Sequence, residues 1–190
     1  MKTTGVIRRI DELGRIVIPK EIRKNLRIKN GESLEVFVEG ESIVLKKYSQ
    51  LENIESVSVD YVEAFNQIIK HNIIITDRDK VIAVAGPLKK KYLGKEINEF
   101  TERSIDRRDS FSEKQKKMFS VIDGVEDNGY YTFTSIVDNG DAIGSVIIIS
   151  LDTPITDVED KMGIILSKLL SKQFIDWFLS INRGVDRHFL

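Results

Sequence analysis

The first fifty residues hold four short β-patterned stretches, one helix-length stretch and no cysteine. A unit this small rarely buries enough apolar surface to fold alone without disulfides or a metal. Cysteine is absent from the whole chain and histidine from this segment, so the usual staples are missing. Association with a second copy is the remaining common solution, and the expectation is an obligate dimer. Val6, Arg8 and Ile10 alternate with Ile7 and Arg9, the period of a strand. Asp11-Glu12-Leu13-Gly14-Arg15 breaks that run, and Ile16-Val17-Ile18 reads as a second strand. Pro19 ends it and suits the first turn of a helix over 21–26, where Ile22 and Leu26 share a face. Gly31 then opens a hairpin of strands 34–38 and 42–46 around a turn at 39–41.

Charge divides the chain in the same place. The formal net charge of the 190 residues is -1, yet residues 1–50 carry 11 Lys and Arg against 7 Asp and Glu. The remainder carries 18 against 23. A basic segment can approach a polyanion, while the acidic remainder needs another role. With 41% hydrophobic and 31% charged residues the chain is that of a folded globular protein rather than a disordered one. No apolar run approaches the roughly 20 residues that span a bilayer. Residues 1–5 lack the apolar core of a secretory signal. A cytoplasmic protein without a membrane partner is the expectation.

Tyr48 to Asn53 is a polar break. The organisation expected is a first domain over 1–50, a linker over 51–55, a second domain over 56–182 and a tail over 183–190. Residues 56–70 read as a helix, with Tyr61, Val62, Phe65, Ile68 and Ile69 on one face. Strands over 72–76 and 81–85 form a hairpin around Asp77-Arg78-Asp79-Lys80. Leu93, Ile97 and Phe100 suggest more helix, and 119–122, 131–137 and 142–150 three more strands. Asn139-Gly140 is a strong hairpin signal between the last two. A long helix follows over 155–181. The fold class is α+β, an antiparallel sheet flanked by helices. Apolar residues cover more than one face of the two long helices, at Leu169-Leu170 and Trp177-Phe178 above all. That excess predicts helix–helix association, joining two dimers into a tetramer.

The run from Thr4 to Arg23, followed by Leu34-Glu35-Val36-Phe37-Val38 and Leu45-Lys46-Lys47-Tyr48, closely resembles the AbrB family of bacterial transition-state regulators. The likeness covers about a quarter of the chain and is nearly continuous. It implies a swapped-hairpin, barrel-like dimer that binds double-stranded DNA. It also implies that Arg8, Arg15 and Arg23 contact DNA, with Lys24 where an arginine is common and Arg9 as a basic neighbour. Arginine forks suit phosphates and guanine edges, whereas lysine acts as a point charge. With the remainder read as a GAF-like domain, the resemblance implies an activator and repressor of sporulation genes in the forespore, associated with the nucleoid. The same N-terminal fold serves antitoxins, so an antitoxin-type or other protein-interaction module is the alternative.

No residue set in the second domain names a chemistry. GAF-like domains place a ligand pocket on one side of the sheet, so residues 92–111 with Phe119, Tyr131 and Phe133 are the candidate lining for an unidentified small-molecule effector. There is no phosphate-cradling glycine loop, no metal-ligand spacing and no nucleophile with a base. His71 follows a helix and reads as a capping cation. His188 lies in the tail. Lys89-Lys90-Lys91 reads as a solvated loop, and Asp106, Arg107, Arg108 and Asp109 as exposed ion pairs. No catalytic residue, cofactor or metal is expected.

Overall fold

The computed structural model describes residues 5–28, 30–48, 51 and 55–185, and side chains as far as Gln173. The chain divides into two compact units, Met1–Tyr48 and Ser49–Leu190.

In the first unit, helix α1 spans Lys20–Asn25 and strands β1 (Leu34–Glu39) and β2 (Ser42–Lys47) form an antiparallel hairpin. Pro19 precedes α1 and accepts the Arg23 amide at 3.0 Å, so the proline loses nothing by lacking its own N–H. The expected strands over 6–10 and 16–18 do not form: residues 5–10 and 15–19 are irregular. A strand's backbone groups need a partner strand, and the described residues of one copy supply none to them. The same shortage shows in the side chains. Ile7 is 89% exposed and Val38 77%, and Leu13, Val17 and Ile43 are also open to solvent. Among the described residues of this unit, Pro19 alone is buried.

The second unit is built on a five-stranded antiparallel sheet of order β4-β3-β7-β6-β5. Its elements are α2 (Glu55–Ile69), β3 (Asn72–Thr76), β4 (Val81–Ala85), α3 (Lys89–Tyr92), α4 (Glu99–Asp106), β5 (Ser110–Phe119), β6 (Asp127–Asp138), β7 (Asp141–Ser150) and α5 (Asp157–Val185). Strand alternation sends one set of side chains to each face. Ile73, Ile75, Val146 and Ile148 pack under Val62 of α2 and Leu166 and Leu170 of α5. Ile74, Val84, Ile147 and Ile149 pack on the other face with Tyr92, Ile97 and Ile105. The α+β class, the central antiparallel sheet and its flanking helices are as expected.

Three expectations are corrected. Leu93 and Ile97 lie outside helix; Ile97 instead bridges Ile122, and Asn98 caps α4 by accepting the Thr101 amide at 2.9 Å. The strand expected over 119–122 is β5, which ends at Phe119 after nine residues of largely polar sequence. It is an edge strand bonded to β6 alone, so hydrophobic content did not mark it. The last helix continues to Val185, past the expected start of the tail. Residues 186–190 lie outside the described residues, as do the side chains of Trp177 and Phe178.

Candidate nucleic-acid interface

The basic residues of the first unit are arranged by one turn and one short helix. At the turn, Asp11 is the organising group. Its Oδ1 accepts the amides of Leu13 (3.0 Å) and Arg15 (2.8 Å), and its Oδ2 accepts Nε of Arg15 at 2.7 Å. Backbone bonds from the Asp11 amide to the Arg15 carbonyl and from the Gly14 amide to the Asp11 carbonyl close the loop. Gly14 has φ of 77°, a conformation that costs glycine little. The Arg15 amide, and then its guanidinium, hold the Asp11 carboxyl below the usual carboxylate range. Arg15 is thereby fixed at its Nε edge, while its side chain stays largely exposed.

Helix α1 carries Arg23 and Lys24. Arg23 donates to Oδ1 of Asn30 at 2.6 Å, which ties the guanidinium to the loop before β1. Lys24 is exposed and has no ion-pair partner among the described residues. Arg8 and Arg9 are exposed on the irregular stretch ahead of the turn, equally without a partner there. Arg23 and Lys24 are thus neighbours on one element, Arg15 is held by its own turn, and Arg8 and Arg9 are linked to neither by a hydrogen bond or ion pair. Sequence reasoning missed Asp11 and Asn30, the two acceptors that orient arginines. Only Asp11 carried a signal: an acidic turn-opening residue four positions before a basic one, with glycine between.

In the second unit, the residues expected to line an effector pocket fill their own space. Tyr92, Phe119, Tyr131 and Phe133 are buried. Phe111 stacks on Phe133 at 5.3 Å, and Phe119 lies 4.7 Å from Tyr131 between ring centroids. The Tyr92 hydroxyl donates to Asp127, which also pairs with Lys91 at 2.6 Å. Burial, then the bond to Asp127, pushes the Tyr92 hydroxyl pKa up. His71 stands 3.4 Å from Glu159. His188 lies outside the described residues. Lys89 and Lys91, expected in a solvated loop, belong to α3, with Glu63 3.4 Å from Lys89. Arg107 pairs with Asp109, and Asp106 with Arg78. Among the described residues no group of three His, Asp or Glu could hold a metal ion, and no helix is long and apolar enough to cross a membrane.

A family model described as "Stage V sporulation protein T C-terminal, transcription factor" matches residues 53–175. A second, "Antidote-toxin recognition MazE, bacterial antitoxin", matches residues 7–53. Stage V sporulation protein T of Bacillus subtilis (strain 168) is 44% identical over 175 residues, covering 91% of this chain and 98% of that protein. The transition state regulatory protein AbrB of the same organism is 54% identical over 48 residues, 25% of this chain and 50% of AbrB. The GAF domain of the nutrient sensor CodY from Clostridium difficile is similar at 10% identity and a TM-score of 0.45, over 80% of this chain and 92% of that one.

Proposed function

We infer that this chain, which belongs to the stage V sporulation protein T family of transcription factors, binds double-stranded DNA through Arg8, Arg9, Arg15, Arg23 and Lys24. The observation that carries this reading is the preset Arg15: a guanidinium held at one edge by Asp11 and otherwise open to solvent. A fixed, exposed guanidinium loses little rotamer freedom on meeting a phosphate or a guanine edge. Its basic neighbours then supply the sequence-independent attraction.

Two copies of the first unit pair by exchanging hairpins. The exposed apolar side chains and unpartnered strand segments of one copy support this, because a second copy would satisfy both. Pairing doubles the basic set on one surface. The second unit acts as a GAF-like regulatory and assembly domain, and apolar residues left exposed on α2 and α5, such as Ile68, Ile165 and Leu169, support a tetramer through these helices. The regulator acts in the cytoplasm, at the nucleoid of the developing spore, as activator and repressor.

The match of residues 7–53 to an antitoxin model favours a second reading, a toxin-binding module. The 44% identity to a sporulation protein along 91% of the chain speaks against it.

The experiment is a titration of promoter fragments with the full chain across a salt series. Affinity falls steeply with salt, and Arg15→Ala weakens it at every concentration while lowering the log–log salt slope by about 1 per lost phosphate contact. Binding indifferent to both salt and the substitution refutes the assignment.

A further inference from the structure

A cleft of about 500 Å³ opens between α5 and strands β5 and β6, on the helix-covered side of the sheet. It is distinct from the aromatic cluster on the opposite face. Ser110, Thr134, Ser167 and Ser171 line it together with Lys168 and Lys172. The spacing explains the convergence. Ser167 and Ser171 are four apart on α5, as are Lys168 and Lys172, so each pair falls on one side of the helix one turn apart. Gly163 lets the helix come close: a Cβ there would sit 3.2 Å from Oγ1 of Thr134.

Two features of this cleft are open to a ligand. Thr134 is only 6% exposed, yet its hydroxyl makes no hydrogen bond among the described residues. Its oxygen keeps contact with solvent, so the hydroxyl is free to bond to a ligand in the cleft. Lys168 and Lys172 have no carboxylate partner among the described residues, whereas Lys114 pairs with Asp157 of the same helix at 2.6 Å. Ser167 and Ser171 already donate to the carbonyls of Ile164 and Val137, at 2.9 and 3.0 Å. Two cations without a carboxylate partner among the described residues, beside the free Thr134 hydroxyl, are therefore what points to an anion. Two lysine charges and one hydroxyl from different elements suit tetrahedral phosphate oxygens better than a planar carboxylate, which favours an arginine fork. The volume is that of a small-molecule site, larger than phosphate alone, and Val137 and Ile164 offer apolar wall for an organic remainder. Asp138 is the carboxylate that opposes an anion here; burial raises its pKa.

We propose that this cleft binds a phosphate group, free or carried by a small metabolite, between Thr134, Lys168 and Lys172. The proposal is independent of the DNA-binding reading, which concerns the first unit alone. It is tested by calorimetric titration of the full chain with inorganic phosphate and, separately, with glucose 6-phosphate, glucose serving as control. Saturable binding is expected with at least one phosphate probe and none with glucose. Binding to glucose 6-phosphate but more weakly to inorganic phosphate assigns a phosphorylated metabolite, and the reverse order assigns free phosphate. The pair K168Q/K172Q weakens the binding about tenfold or more. Thr134→Val weakens it severalfold while leaving the thermal melt unchanged or higher, because the hydroxyl it removes bonds to nothing in the unliganded chain. A purely structural threonine would instead lower the melt. Absence of saturable binding to both probes overturns the proposal, as does binding that persists undiminished in K168Q/K172Q.

Discussion

At the scale of single residues, the informative group is an acid on a basic surface. Asp11 repels a polyanion, so charge alone says that removing it should tighten DNA binding. Its contacts say the opposite, because the same carboxylate organises the turn and holds Arg15. Asp11→Ala is therefore expected to lower DNA affinity by about three- to tenfold, the cost of freeing an oriented side chain together with its loop. Fluorescence anisotropy of a labelled promoter fragment decides between the two, and tighter binding by the variant would remove Asp11 from the orienting role. The pH dependence has a definite sign. A carboxyl held below its ordinary value in the folded turn stabilises that turn above the usual carboxylate range, about pH 4. The contribution is lost as pH falls through the lowered value. Arg15 should thus stay oriented across neutral and mildly acidic conditions, and proton shifts of the Leu13 and Arg15 amides followed by NMR should move only below about pH 4.

At the scale of elements, strands are legible where burial imposes a pattern. The residues of β3 and β4 are buried throughout and stand out as β-branched runs. The turn between β6 and β7 is equally plain, since Asn139 and Gly140 both take the positive φ, 47° and 91°, that Asn-Gly signals. Strand β5 was hidden because an edge strand with an irregular register around Glu113 and Lys117 needs few apolar residues. The aromatic packing on one face was hidden for another reason. Sequence identifies the aromatic residues but not whether they line a space or fill it. Close approach of elements is likewise invisible until the backbone is placed. A Cβ on Gly144 of β7 would lie 2.6 Å from Cδ1 of Leu51 and closer still to the Thr76 carbonyl oxygen. Backbone cannot yield as a flexible side chain can, so Gly144→Ala is expected to cost about 2–3 kcal/mol. For a unit of this size that is a drop of roughly 5–10 °C in melting temperature, read by circular dichroism. A melt within about 1 °C of the parent would show that β3 and β7 can part without penalty.

At the scale of the whole molecule, the two units differ in how each one completes its core. The second buries two layers of aliphatic side chains on its own sheet. The first exposes Ile7, Leu13, Val17, Val38 and Ile43, and its two strand-patterned segments form no strand pairing among the described residues. Exposed apolar side chains at this density are a surface awaiting a partner, and burying each one recovers about 1.5–3 kcal/mol. A second copy is the partner always present at equal concentration. Val17 sits between the Arg15 turn and α1, so an aspartate there would put an unpaired charge into the shared core of a paired unit. Val17→Asp should therefore abolish pairing of the first units. DNA affinity should fall with it, although Val17 itself carries no charge, because halving the basic set weakens every phosphate contact made in common. Sedimentation of the full chain separates the outcomes. The parent should remain associated down to nanomolar protein, and the variant should lose mass in step with its DNA binding. A variant that keeps the parent's mass and affinity would mean that Val17 lies outside any shared core, and that the exposed surface of the first unit is covered in some other way.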